Sequence, residues 1–257
     1  MHLEKYIPAD GLKPFIKTFM VIESDGGMDN RILPGTSIVM VLRVRGNVLL
    51  KEENTTTGLP ASLITGIRQS ARVMTYSKDT VTILVIFKET GAAAFFRQPL
   101  HELQGLSVSL DHLIPPQRIW DIEEQLYSAP THPQRIAIVQ GFLLSILHES
   151  SPDLLIRSAV QKIAQAHGNI RIMDLAKGLY TSRDPFEKRF RQATGTSPKQ
   201  FAGIVRLRHL ISNYPNNKNL TDAAHMAGYF DQAHFNKHFR SFTGQTPQDF
   251  FRSTPHW

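Results

Sequence analysis

The side chains of residues 152–257 could do one kind of chemistry in bulk, the neutralisation of phosphate. Residues 1–151 hold 14 of the 29 lysines and arginines and 15 of the 22 aspartates and glutamates, leaving 15 and 7 for residues 152–257. The first stretch is therefore −1 and the second +8, before its six histidines are counted. A neutral half beside a basic half predicts a polyanionic partner for the second; on charge alone, a merely soluble basic face competes with that reading. Covalent chemistry has less support. The chain has no cysteine, which excludes disulfides, thiolate zinc sites and cysteine nucleophiles. In the N-terminal half His2, His101, His112 and His132 are scattered, with no pair at helical metal spacing, and no glycine-rich phosphate loop or Gly-x-Ser-x-Gly elbow occurs. No catalytic residue, metal or cofactor is expected.

The elements that must position the basic side chains are repeated. Phe190-Arg-Gln-Ala-Thr-Gly-Thr-Ser-Pro-Lys-Gln-Phe201 matches Phe239-Arg-Ser-Phe-Thr-Gly-Gln-Thr-Pro-Gln-Asp-Phe250, 49 residues on, at six of twelve positions. Phe186 precedes Phe190, and Phe235 precedes Phe239, by one helical turn, which marks the buried stripe of a short helix. Ser182 and Asp231 suit the N-caps, Gly195 and Gly244 the left-handed residue after each helix, and Pro198 and Pro247 the first turn of the next. Upstream, Ile172, Leu175 and Ala176 give one apolar face and Ala223, Ala224 and Ala227 another, with Gly178 and Gly228 marking the approach to the turns. Each copy reads as helix, tight turn, helix, the second helix polar on its outer side, which is the form that places a helix in the major groove. A solenoid pair is the competing reading, but two copies are fewer than a solenoid needs.

Gly228-Tyr-Phe-Asp-Gln-Ala-His-Phe-Asn-Lys-His-Phe-Arg240, followed by Thr243-Gly-Gln-Thr-Pro247, resembles the C-terminal signature of the AraC/XylS family of transcription regulators. The first unit is similar to that family's first helix-turn-helix, and the resemblance covers about residues 153–252. It implies seven helices, two helix-turn-helix units at about 172–194 and 221–243, and a long connector for which Phe201–Tyr214 is the candidate. Carried over position by position, it implies Gln232, Ala233, Asn236, Lys237 and Arg240 as outward, DNA-facing residues of the second reading helix. Gln and Asn can pair with adenine, Ala can touch a thymine methyl, and Lys237 and Arg240 can hold phosphate. His234 is placed either near the DNA backbone or in packing. The first helix offers Arg183, Asp184, Glu187, Lys188 and Arg191. Two carboxylates repel phosphate, although an acid can accept from cytosine N4. Pro185 tolerates the first turn but disfavours helical geometry at Asp184, so an offset start to this helix is expected.

The N-terminal half reads as β-rich. A hairpin is expected over residues 37–52, with Gly46-Asn47 as its turn, then strands at Leu63–Ile67, Arg72–Tyr76 and Val81–Lys88. Helices are expected around Gly91–Arg97, Gln117–Tyr127 and Pro133–His148, the last with Ile136, Val139, Leu143, Ile146 and Leu147 on a stripe that is core before it is a dimer face. The fold class is α+β: a cupin-like or sandwich domain with helices over residues 1–150, and an all-α domain with two helix-turn-helix units over 151–257. Arg31-Ile-Leu-Pro-Gly35 and Gly91-Ala-Ala-Ala-Phe-Phe resemble the N-terminal domain of some AraC-type regulators, which implies sensing or dimerisation. Ser151 and Pro152 are expected to cap and open the first C-terminal helix.

Three functions compete. A ligand-responsive regulator accounts for the repeat, the charge split and the N-terminal domain. A DNA-alkylation repair enzyme on the same module needs a cysteine acceptor, which is missing. A DNA-binding structural protein without signal input leaves residues 1–150 without a role. Expected partners are double-stranded DNA, a small-molecule effector, RNA polymerase and a second copy of the chain. No signal peptide or apolar span is visible, so a cytoplasmic location is expected.

Overall fold

The computed structural model describes residues 2–52, 55–148, 153–214, 220–229 and 231–252. Strands β1 (His2–Tyr6), β2 (Ile16–Ser24), β3 (Met28–Ile32), β4 (Val39–Arg45), β5 (Val48–Lys51), β6 (Thr56–Gly58), β7 (Ser62–Thr65), β8 (Arg72–Tyr76), β9 (Thr80–Phe87) and β10 (Ser107–Ser109) form two antiparallel sheets. The larger has the order β1-β2-β9-β4-β7-β10 and the smaller β3-β8-β5-β6. This is the β-rich N-terminal part that the sequence predicted.

The expected hairpin over residues 37–52 does not form. β4 pairs with β7 and β9 in the large sheet, while β5 pairs with β6 and β8 in the small one. Both edges of β4 are taken, and Gly46, at φ 78°, turns the chain out of the sheet. A side chain at Gly46 would lie within 2.6 Å of the Thr80 backbone, so glycine is needed there. Residues 92–94 form one 3-10 turn instead of the helix expected around Gly91–Arg97.

The alternation of the large sheet separates two environments. Phe19, Val21, Met40, Leu42, Ile64, Ile83, Val85 and Phe87 are buried. They share a core with α1 (Pro116–Ser128) and α2 (His132–Ile146), which contribute Ile119, Ile122, Leu126, Ile136, Val139, Leu143 and Ile146. The α2 stripe is therefore core. The alternate residues Thr18, Met20, Val39, Val41, Leu84 and Ile86 face the smaller sheet across a cavity.

Seven helices follow among the described residues: α3 (Leu154–Gln165), α4 (Ile172–Gly178), α5 (Arg183–Thr194), α6 (Pro198–Asn213), α7 (Leu220–Met226), α8 (Gln232–Thr243) and α9 (Pro247–Arg252). Ser151 and Pro152 lie outside the described residues; α3 begins at Leu154, and the Asp153 carboxylate accepts from Ile156 N at 3.2 Å. The connector α6 is capped by Ser197 and Gln200 in a reciprocal box with Pro198 in its first turn.

The two units do not share a core. Ile156, Ala159, Ile163, Leu175, Ala176, Phe186, Phe190, Phe201 and Ala202 form a separate cluster around unit one. Ala224, Tyr229, Phe235, Phe239, Phe242 and Phe250 of unit two, with Ile204, Leu207 and Leu210 of α6, join the N-terminal core. No helix among the described residues is long and apolar enough to cross a membrane.

Candidate nucleic-acid interface

The two reading helices have identical register. α5 and α8 are both twelve residues long and begin 49 positions apart, so the offset expected from Pro185 is absent. Each buries a phenylalanine pair at i, i+4: Phe186 and Phe190, then Phe235 and Phe239, all fully buried. Each ends on a left-handed glycine, Gly195 at φ 84° and Gly244 at φ 77°. The threonine before it donates to the carbonyl one turn back, Thr194 Oγ1 to Phe190 O at 2.8 Å and Thr243 Oγ1 to Phe239 O at 2.9 Å.

The starts differ. Asp231 accepts from His234 N at 2.7 Å, whereas the Ser182 side chain makes no cap hydrogen bond. The cause is local: the position that donates in α8, His234, corresponds to Pro185 in α5, which has no N–H. The turns differ as well. The left-handed residue of unit two is Gly228, at φ 76°, but in unit one it is Tyr180, at φ 55° and 99% exposed. Gly178 is the last residue of α4, without positive φ, so it is not the counterpart of Gly228. Ala224 is buried against α8, while the Ala223 side chain lies outside what is described.

Of the ten candidate DNA-facing residues, Asp184, Lys188, Arg191, Ala233, Lys237 and Arg240 lie away from the buried phenylalanines, while Glu187 and Asn236 flank them and Arg183 and Gln232 stand one turn before them on the same side. Arg183, Asp184, Lys188 and Arg191 are exposed and Glu187 is half-buried; Gln232, Ala233, Asn236, Lys237 and Arg240 are all exposed. The unit-two face is free of acids. Beside it runs a groove of about 680 Å³ lined by Leu220, Gln232, Asn236, Lys237, Arg240, Ser241, Thr246 and Gln248. Sequence reasoning passed over Ser241, Thr246 and Gln248, although the repeated Ser/Thr-Pro step marks where Thr246 would stand.

The unit-one face is partly neutralised from within. Arg183 Nε donates to Glu187 Oε1 at 2.8 Å, and Arg191 Nη2 lies 3.8 Å from Glu187 Oε2. That hydrogen bond raises the Arg183 pKa. Lys188 has no ion pair among the described residues.

Behind the unit-two face, His238 is held in packing. Its Nδ1 lies 2.6 Å from Tyr229 Oη, and Arg206 sits 4.4 Å above the Tyr229 ring. Burial, then repulsion from Arg206 and His234, pushes the His238 pKa down to about 4. His234 is exposed and its ring meets Tyr229 edge-on at 5.6 Å.

A second site lies between the sheets. The cavity holds about 670 Å³ and is lined mainly by apolar side chains, with Lys5, Lys17, Arg31, Arg43, Arg68 and Arg208 and no carboxylate among its lining residues. Burial lowers the pKa of Arg68 to about 10, and its Nη1 has no hydrogen-bond partner. Burial also lowers Arg43 and Arg208, which donate to the carbonyls of Leu59 and Pro34. Of these cations the sequence marked Arg31, as the start of Arg31-Ile-Leu-Pro-Gly35, but not as part of a cavity.

A pair of exposed, polar helices on matched frames defines the class, a protein with two helix-turn-helix units. Residues 175–253 match the model of a helix-turn-helix domain, and residues 4–109 match a domain of unknown function (DUF6597). The chain carries a helix-turn-helix domain where the sequence resemblance implied one. Among curated proteins it is 31% identical over 118 residues to the Msm operon regulatory protein of Streptococcus mutans, a match that covers 44% of this chain and 42% of the relative. Solved structures similar to it include ToxT from Vibrio cholerae, with a TM-score of 0.46 and 13% identity, covering 92% of this chain and 98% of that one. Another is the AraC-like transcriptional activator CuxR, with a TM-score of 0.27 and 14% identity over 86% and 89%.

Proposed function

We propose that the protein is a sequence-specific transcription regulator that reads double-stranded DNA with α5 and α8, under the control of a small molecule held by the N-terminal domain. Residues 1–150 are then the sensing part and 151–257 the DNA-binding part, and the protein binds without catalysing a reaction. The observation that carries the reading is the matched register of two reading faces, the second of which presents Gln232, Asn236, Lys237 and Arg240 free of acids. Gln and Asn supply base contacts; Lys and Arg supply phosphate contacts. Selection of duplexes from a randomised library, followed by titration of selected and scrambled duplexes against salt, tests it. Asn236→Ala should relax sequence preference, while Arg240→Ala should weaken both duplexes alike. Equal loss on both duplexes for Asn236→Ala would remove the base-reading role.

Control by a ligand is supported by the cavity. An apolar chamber of this size is typical of small-molecule sites. Its cationic lining without a carboxylate, above all Arg68, whose buried Nη1 has no hydrogen-bond partner, favours a ligand with an apolar body and an anionic group. Binding would shift the population of chains competent to hold DNA. Anilinonaphthalene sulfonate, an apolar anion, should bind the full chain with a fluorescence rise that Arg68→Leu removes. An unchanged titration in the variant would refute Arg68 as the receptor.

A further inference from the structure

The N-terminal domain touches both reading helices at the same place, the turn that closes each one. At α8, Ala71 N donates to Phe242 O at 2.9 Å and Arg31 Nη1 donates to Thr243 O at 3.1 Å. These are carbonyls of the last helical turn, which lack partners inside the helix, and a cation there also meets the negative end of the helix dipole. A side chain added at Gly244 would come within 2.8 Å of Arg31 Nη1. At α5, an added side chain at Gly195 would stand 3.0 Å from Leu100 O and 3.5 Å from Ile38 Cδ1. Gln104 Nε2, next to the 3-10 turn Leu100–Leu103, donates to Gln200 Oε1 at 2.9 Å and lies 3.4 Å from Thr196 Oγ1. Both seats are built on the repeated Thr-Gly step. That step therefore has a use besides ending a helix: its bare glycine lets another domain approach.

We propose that the N-terminal domain is a clamp that fixes the separation of the two reading helices, seated on the closing turns of both, with Arg31 and Gln104 as its positioning residues. The inference rests on the reading of α5 and α8 as DNA-contacting helices. Two helices entering successive major-groove segments must stand about 34 Å apart along the duplex, and α6 alone ties them at one end only. The clamp supplies the second tie. It is also connected to the cavity, because Arg31 lines it, and Arg208 of α6 both lines it and donates to Pro34 O at 3.1 Å.

The test is selection from a randomised duplex library by the full chain and by the double variant Arg31→Ala, Gln104→Ala. Both side chains are partly exposed, so the fold should survive. The isosteric Gln104→Glu, which sets a carboxylate against Gln200 Oε1, is a second variant should the first unfold. The wild type should enrich two half-sites at one spacing. The variants should enrich the same half-sites over a spread of spacings, with the preference for the wild-type spacing over one shifted by a third of a turn reduced about tenfold, a typical coupling between sites. Arg31→Lys, which keeps the cation, should retain most of the preference. A purely structural role for Arg31 and Gln104 would lower affinity at every spacing equally and leave the distribution unchanged, which would overturn the clamp. A wild type that tolerates all spacings would overturn it too, with DNA reading intact. A wild type that enriches no sequence would instead overturn the proposed function.

Discussion

Glu187 decides whether the first reading helix takes part in DNA binding by charge or by base contact. Its carboxylate holds Arg183 at 2.8 Å and Arg191 at 3.8 Å, so one acid occupies two of the three cations on that face. Glu187→Gln keeps the shape and removes the charge. If both arginines then reach phosphates, the slope of log affinity against log salt should steepen by about 0.9 for each contact, or about 1.8 in total. Between about 200 and 50 mM salt the variant would gain roughly twelvefold more affinity than the wild type gains. Fluorescence anisotropy across that salt range, on selected and scrambled duplexes, reads the slope directly. Because phosphate contacts carry no sequence information, both duplexes should respond alike. An unchanged slope with lost preference at a single base pair would refute this reasoning, and would mean that the Glu187 carboxylate accepts from a cytosine amino group.

Three other expectations follow from the asymmetry of the units. Asp231→Ala should lower stability by about 1 kcal/mol through loss of its cap bond, whereas Ser182→Ala should leave the melting curve almost unchanged because Pro185 offers no N–H. Phe190→Ala and Phe239→Ala should each cost about 3–5 kcal/mol. Hydrogen exchange should then loosen only about residues 153–202 in the first variant, but the N-terminal strands as well in the second. Exchange confined to unit two in Phe239→Ala would contradict the shared core. His238 is held neutral in the fold, with its pKa near 4 against 6.5 for the free side chain. The unfolded chain takes up the proton first, so stability is full above about pH 6.5 and is lost as pH falls towards about 4. His238→Gln should flatten the melting profile in that window; an identical slope would exclude His238 as the source.

The helical half was legible because its signals are local. Asp231, Gly244, Pro247 and the i, i+4 phenylalanines fix start, stop and buried face within one or two turns, and α8 runs where those residues place it. Pro185 misled because its bias against helix at Asp184 is small beside the packing of Phe186 and Phe190, which holds α5 in register. The sheets were legible only as strands. Which strand pairs with which is decided by residues far apart, and Gly46-Asn47 resembles a hairpin turn from its neighbours alone. The cavity was illegible for a related reason. In β4, Val39 and Val41 are as apolar as Met40 and Leu42, so only Arg43 marks the face that meets an open chamber, and one cation does not announce a cavity. The left-handed turn at Tyr180 was missed because Gly178 stood nearby and has the residue type that such a turn normally requires.

Two copies of one motif have thus come to be held in different ways. Unit one owns its core, and two of the three cations on its face are tied to Glu187. Unit two offers an acid-free reading face, yet Phe235, Phe239 and Phe242 pack in the same core as the sheet that bounds the cavity. A change in that sheet can reach α8 through side-chain packing and through Arg31. It can reach α5 through α6 and through the contacts at Ile38, residues 92–94, Leu100 and Gln104. The helix whose reading face is free of acids is therefore the one that shares the core of the N-terminal sheet, whereas α5 meets residues 1–150 at the 3-10 turns 92–94 and Leu100–Leu103. A signal that moved the sheet would reach α8 through that shared core and α5 through the 3-10 turns, and so would act on the spacing between the helices as well as on the presentation of α8.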